Sequence, residues 1–516
     1  MNYVGTARPI HDAKGKATGY SKYAGDISLS NMAYLCMLHS KIPHGYVKAV
    51  HAEKALALPG VYGVYHCLNT SERKYNRYRS SFDQAYLANE ERAFNQYVRF
   101  VGDKIGAVAA CDQETAEKAA RLVEVEYEEL SFSIGFDDTL AGKNCLDGET
   151  PVRDEYELDV GEKQGSAEGL IEVCSTMELP RLHHATMETH ACIADYDPYS
   201  DMLTVYCPNQ AVHGIRTVLA DFLEMPESHV RVVKATMGGS FGAKQEWFLE
   251  PVTALVAKKL CRPVKLVYSR GEAMTDTIVR GAMRMSARGY YTPDGEMKEI
   301  YCDVTLDAGA YIGNAGDYVR ALAGKPTRCY RIPYMHYHGQ VISSNSPVSG
   351  AFRSWSAAEE ALMMERQLDA AAEKLGMDRL AIRLKNVARS GEEDKKLHLS
   401  LEDIRIGDAI TLGSEKFGWD KLKAEDAAFN ASQQRYRRGV GIGIGGHGNT
   451  YFPRFNDYGE GSISLNADGS LQANFTLHDH GCGTVTAMRM IAAEVLKVPE
   501  DKIYMTEGDT AVTPID

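Results

Sequence analysis

Residues 231–260 read RVVKATMGGSFGAKQEWFLEPVTALVAKKL, and the fold turns on how that stretch divides. Val232, Lys234 and Thr236 alternate with Val233 and Ala235, which predicts a strand. Gly238-Gly239-Ser240-Phe241-Gly242 predicts a tight turn, and beyond it apolar residues recur at helical spacing. A strand, a glycine loop and a helix in that order bring backbone N–H groups to where they can close around a phosphate or another oxygen-rich group. The spacing excludes a P-loop, because Lys244 follows Ala243 with no Ser or Thr after it, and the stretch contains no G-x-G-x-x-G. Taken alone, the loop reads equally well as a turn whose glycines let helix pack on strand.

The rest of the composition narrows the class. A chain of 516 residues with 44% hydrophobic content can bury large cores and predicts about two to four domains. A net charge of -13 predicts no nucleic acid and no anionic membrane as partner. No apolar run reaches membrane-spanning length, and MNYVGTARPIHDAKGKATG lacks the apolar core of a signal peptide, so the expected compartment is cytoplasmic. The 11 cysteines are scattered without a C-x-x-C pair. That predicts no iron–sulfur cluster or zinc knuckle within the chain, and thiols that are mostly buried.

Along the chain, strands are predicted at 32–38, 61–65 and 104–110, with helices at 52–58 and 113–122 and an alternating run at 123–127. Residues 136–168 are acidic, glycine-containing and weakly periodic, which predicts a linker. His183, His184 and His190 lack H-E-x-x-H spacing and read as a structural cluster. Ser356 and Glu359 form an S-x-x-E capping box ahead of an apolar stripe, Ala361, Met364, Leu368, Ala372 and Leu375, that ends at Gly376.

Met237 to Gln245, MGGSFGAKQ, resembles the molybdopterin loop M-G-G-G-F-G-x-K-[EQ] of the xanthine dehydrogenase and aldehyde oxidase family of molybdenum hydroxylases. Further segments resemble that family in the same order: CPNQAVHG around Gln210, DYVRALAGKPTRCYRIP around Arg320, GAFRSW at 350–355, and LHDHGCGT at 477–484. By this resemblance Gly239, Ser240, Phe241, Gly242, Gly481, Cys482 and Gly483 would bind the pterin. Gln210, Phe241 and Arg353 would form the molybdenum environment without a direct side-chain ligand. Ser240, Ser354 and Ser356 stand where the family has Gly, and Cys482 where it has Gln.

Three residues carry over as the substrate side. Gln245 would hydrogen-bond a heterocycle without adding charge. Arg320, aligned across a one-residue gap, would stabilise negative charge on a purine. Trp355 would stack on a flat ring. The plainer readings are a polar first-turn helix residue, a surface arginine and a core indole.

The resemblance implies an α+β chain. A hammerhead-type domain at 1–135, a linker at 136–168, and a mixed α/β molybdopterin-binding region at 169–400 and 401–516 are expected, the last incomplete. It implies molybdenum and molybdopterin, as the cytosine dinucleotide, with iron–sulfur and FAD subunits as partners. The expected reaction is oxidative hydroxylation of a purine or related N-heterocycle with water as oxygen source. An aldehyde or nicotinate-like substrate, or a silent truncated subunit, are the alternatives. The family's general base sits in a G-E-P-P segment that has no counterpart here, since Gly148-Glu149-Thr150-Pro151 falls in the linker. A second molybdopterin subunit would supply it.

Overall fold

The computed structural model describes residues 3–78, 89–148, 150–163, 165, 168–432, 435–447, 459–477 and 479–515; Glu149 and His478 lie outside them. Two sheets carry the larger part of the chain. The first has seven strands in the spatial order Val230–Lys234, Met202–Cys207, Ala191–Asp197, Val264–Val267, Ala33–His39, Lys104–Ala110 and Val61–His66. Its central strands read as near-continuous apolar runs, as expected where both faces are covered; Lys104–Ala110 is buried along its whole length. Helices Gln113–Ala120, Val212–Leu223 and Glu250–Leu260 pack on it.

This sheet crosses the expected domain boundary at 135. Ala33 pairs with Val264 and Leu35 with Leu266 in a parallel ladder, so strands of the N-terminal region and of the glycine-loop region share one core. Within the expected linker at 136–168 the chain is partly strand. Val152–Gly161 is a ten-residue strand that pairs antiparallel with Tyr334–Ser343. It edges a five-stranded sheet with Ile171–Leu179, Ala282–Tyr291 and Met297–Gly309. Tyr156, Leu158 and Val160 point one way and the acids between them the other, an alternation that the high charge of the stretch masks. Helices Ala357–Leu375 and Ala315–Leu322 cover this second sheet and close a second core.

Near the C-terminus, Gly461–Leu465, Leu471–Phe475 and Ile503–Glu507 form a three-stranded sheet backed by helix Thr484–Leu496. Residues 437–443 form no strand. The unit is tied to the first sheet by backbone: Lys234 N donates to Gly508 O at 2.7 Å and Thr510 N to Val232 O at 3.0 Å. Five of the cysteines are buried, but Cys111, Cys174, Cys261 and Cys482 are exposed, which corrects the expectation of mostly buried thiols. Among the described residues no group of three or more His, Cys, Asp or Glu is placed to hold a metal ion, and no helix is long and apolar enough to cross a membrane.

Candidate functional site

The strand Val230–Lys234 delivers the chain into a turn that is longer than the glycines alone predict. Helix Glu250–Leu260 begins eight residues after Gly242, not directly behind it. Pro251 explains the delay, since a proline without an N–H fits the first turn of a helix but not its interior. Gln245 therefore lies in the loop, with its N–H on Gly242 O at 3.2 Å, and not in a first helical turn. Its carboxamide has no hydrogen-bond partner among the described residues.

The loop is pinned from several sides. Glu188 Oε2 accepts from Gly238 N at 2.7 Å and pairs with the buried Lys244 ammonium at 2.5 Å. His190 Nε2 donates to Ala243 O at 2.9 Å, and His184 Nε2 donates to Ala351 O at 2.8 Å. Burial pushes the His190 imidazole down to about 3 and that of His184 to about 4, so both rings are neutral N–H donors. Sequence reading finds the histidines as a cluster but not what they hold, and it does not single out Glu188, which lies between His184 and His190.

Gly242 has φ +100°, and a Cβ there would stand 2.6 Å from Ala351 O. The close approach brings the 350–356 loop against the glycine loop, so the two segments meet through backbone. Phe241 is 49% exposed at φ 54°, with the Arg353 guanidinium 6.0 Å from its ring centroid. Ser354, Trp355 and Ser356 follow at φ 78°, 41° and 65°. Four non-glycine residues in the left-handed region on two touching loops is concentrated strain of the kind found at working sites.

Gln210 joins the third side. Its backbone N–H donates to Lys244 O at 2.8 Å, its Oε1 accepts from Ser240 Oγ at 2.5 Å, and its Nε2 lies 3.2 Å from His480 Nδ1. The 479–484 loop is thereby drawn in. Asp479 accepts from Gly481 N at 2.7 Å and Gly483 N at 3.2 Å, shaping the turn ahead of helix Thr484–Leu496. Gly481 faces open space, whereas a Cβ on Gly483 would press on Ile10. Cys482 Sγ lies 3.0 Å from Thr484 Oγ1.

These residues fit an oxygen- and phosphate-rich cofactor. The N–H groups of Gly239, Ser240, Phe241 and Cys482 have no acceptor among the described residues, and the Arg353 side chain is exposed beside them. Gln210, Gly239, Ser240, Phe241, Gly242 and Arg353 thus lie on the glycine loop and the two segments that meet it, around 210 and 350–356, and Gly481, Cys482 and Gly483 lie on a fourth segment that His480 links to Gln210.

The three substrate-side residues fare differently. Trp355 is half-buried and packs against both cores, its indole 5.3 Å from the Tyr318 ring and 6.5 Å from that of Tyr78. Arg320 does not join the cluster. Tyr318 and Arg320 are two positions apart on helix Ala315–Leu322, about 200° around its axis. Tyr318 faces Trp355, and Arg320 forms a two-point ion pair with Asp154 on the strand Val152–Gly161 at 2.5 and 2.9 Å. The capping box is also absent: Glu359 pairs with Arg280 at 2.7 Å, and Ser356, itself left-handed, makes no side-chain cap.

Comparisons with known proteins follow the same segments. Residues 18–131 match the aldehyde oxidase and xanthine dehydrogenase a/b hammerhead domain, and 152–387 and 412–516 match molybdopterin cofactor-binding domains. The chain is 32% identical over 524 residues to a probable xanthine dehydrogenase subunit of Bacillus subtilis (strain 168), covering 100% of this chain and 67% of that one. It is 29% identical over 530 residues to the xanthine dehydrogenase molybdenum-binding subunit of Escherichia coli O157:H7, covering 98% and 68%. The aldehyde oxidoreductase from Desulfovibrio gigas superposes with a TM-score of 0.87 at 25% identity, covering 99% of this chain and 57% of that one. The chain belongs to the xanthine dehydrogenase and aldehyde oxidase family of molybdenum hydroxylases, and it is the family's molybdopterin-binding part.

Proposed function

We propose that this chain takes part in the oxidative hydroxylation of a flat N-heterocycle, with a purine-like ring among the candidates and water as the oxygen source. The observation that carries this reading is the unpartnered carboxamide of Gln245, on a loop locked to the one that bears Trp355. A carboxamide offers a donor and an acceptor to ring nitrogens and exocyclic oxygens without charge, and an indole offers a flat apolar face. When bound, the molybdenum–pterin group supplies the two-electron oxidation. Gly239, Ser240, Phe241 and Cys482 would hold it through backbone N–H groups, Arg353 would balance its negative charge, and Gln210 would present an amide hydrogen at a fixed angle.

Arg320 lends no support to a purine in particular, because its guanidinium is committed to Asp154. An aldehyde is the second reading, and similarity to the Desulfovibrio gigas enzyme favours it. The same proposal has the cofactor as cytosine dinucleotide, iron–sulfur and FAD subunits that carry electrons away, a cytoplasmic setting, and a further molybdopterin-binding polypeptide that supplies the general base. The chain covers about two thirds of the length of the xanthine dehydrogenase subunits it matches.

The test is to purify the chain with its co-purifying subunits from a host that makes the cofactor. Molybdenum, iron and flavin are then measured, and hypoxanthine, nicotinate and benzaldehyde are assayed with an artificial electron acceptor. The proposal expects all three components and faster turnover of at least one heterocycle than of the aldehyde. Turnover of benzaldehyde alone would replace it with the aldehyde reading, and a molybdenum-free preparation would overturn it.

A further inference from the structure

Trp355 is gripped at two points by one short piece of chain. Tyr318, on helix Ala315–Leu322, meets the indole ring, and Lys325, in the turn before helix Pro326–Cys329, donates from Nζ to the carbonyl oxygen of Trp355 and, at 2.8 Å, to Ser356 Oγ. Lys325 is buried, which disfavours its ammonium, and the charges of Glu360 and Glu359 act against that burial.

The carbonyl it holds lies within the run of left-handed residues 354–356. L-residues enter that region at an energetic cost, and persist there when surrounding contacts over-determine them. The turn's own backbone bonds are Trp355 N to Phe352 O at 2.9 Å, Ala357 N to Ser354 O at 3.0 Å and Glu360 N to Ser356 O at 3.0 Å. None of them is made by the Trp355 carbonyl. The Lys325 ammonium bonds that carbonyl, and is anchored at the same time to Ser356 Oγ, one residue on.

We propose that Lys325 is a positioning residue for Trp355: it holds the left-handed turn in place and so sets the plane of the indole that a flat substrate would meet. The part concerning substrate rests on the function proposed above; the hold on Trp355 does not. Arg320, the basic residue that alignment favours in this segment, lies on the far face of the same helix, and Lys325 is the one whose charge reaches the loop.

The experiment uses the full chain with its co-purifying subunits, as the parent, Lys325→Met, Trp355→Phe and the double variant. Within this chain Trp247 and Trp419 are 1% and 6% exposed, so the acrylamide quenching that is lost in Trp355→Phe is the contribution of Trp355, whatever the other subunits add. Lys325→Met is expected to raise the quenching constant severalfold, and that rise should vanish in the double variant. KM for a flat heterocycle should rise about tenfold with kcat nearly unchanged, the equivalent of one stacked contact. Ser356→Ala removes one of the two anchors without emptying a charged site, and should shift quenching in the same direction if Lys325→Met does not fold. Unchanged quenching in a folded Lys325→Met or Ser356→Ala protein overturns the proposal. Raised quenching with KM unchanged for every flat substrate keeps Lys325 as the holder of Trp355 and overturns the substrate role of Trp355.

Discussion

The hydroxyl of Ser240 stands 2.5 Å from Oε1 of Gln210. Ser240 Oγ also accepts, at 3.3 Å each, from the N–H groups of Gly242 and Lys244, so its one hydrogen is free to go to Gln210. That settles which end of the carboxamide is oxygen and directs Nε2 toward His480 and the space between the two glycine loops. Ser240→Ala should release the amide to rotate. The expected result is a loss in kcat of about tenfold on all substrates, less than the hundredfold or more of losing a direct donor, with molybdenum content kept. A loss of molybdenum in step with activity would make Ser240 a cofactor anchor instead.

The Arg320–Asp154 pair predicts an effect on stability rather than on substrate choice. The two side chains are 34% and 30% exposed, and a bidentate pair at such a site contributes about 1 kcal/mol or less. Arg320→Met and Asp154→Asn should each lower the melting temperature slightly, and the double variant should show a loss smaller than their sum. Turnover of heterocycles and of aldehydes should change together. A selective loss on heterocycles in Arg320→Met, absent from Asp154→Asn, would return Arg320 to the substrate side.

What the sequence makes legible is local. The strand at 104–110 matches the predicted bounds, helix Ala357–Leu375 ends at Gly376 with φ 64° as a glycine cap does, and the glycine loop falls behind Val230–Lys234. These depend on neighbours a few residues apart. The partnership of Ala33 with Val264 depends on residues more than two hundred apart, and no local period encodes it. The direction of Arg320 escapes for a related reason. Its spacing to Cys329 fixes the segment, but the face it presents depends on where the strand Val152–Gly161 runs, and the charge of that strand disguises it as linker. The helix start at Glu250 is legible even where periodicity misses it, since Pro251 forbids an earlier one.

Gly242 gives a sharper test of the two-loop arrangement. An added methyl meets Ala351 O at 2.6 Å and requires φ +100° from a residue that resists it, so Gly242→Ala should push the loops apart. Gly481 has the same φ but nothing within 4 Å of its Cβ position. Molybdenum per chain should therefore fall severalfold more in Gly242→Ala than in Gly481→Ala. Equal retention in both would show that the cofactor does not depend on the contact between the glycine loop and residue 351.

Glu246 carries the prediction on pH. It is buried between the glycine loop and the 313–314 and 350–351 segments, with Asn314 Nδ2 donating to Oε1 at 2.9 Å. Burial, with the charge of Glu91 adding to it, raises its carboxyl from 4.5 to about 8 against the pull of the Arg77 guanidinium. A carboxyl raised on folding binds its proton more tightly in the native state. Its contribution is therefore fully present below about pH 4.5 and is lost as pH rises through about 8. Glu246→Gln keeps an acceptor for Asn314 and removes the titration. The variant should gain on the parent as pH rises from 5 to 8.5, by an amount on the order of a few kcal/mol. Lys325, lowered by burial to about 8, shifts with the opposite sign and is common to both proteins, so it cancels in the difference. The measurement is the difference in melting temperature between parent and variant at several pH values across that range. A difference that stays flat would mean that Glu246 is already ionised at neutral pH, with Arg77 rather than a proton balancing it.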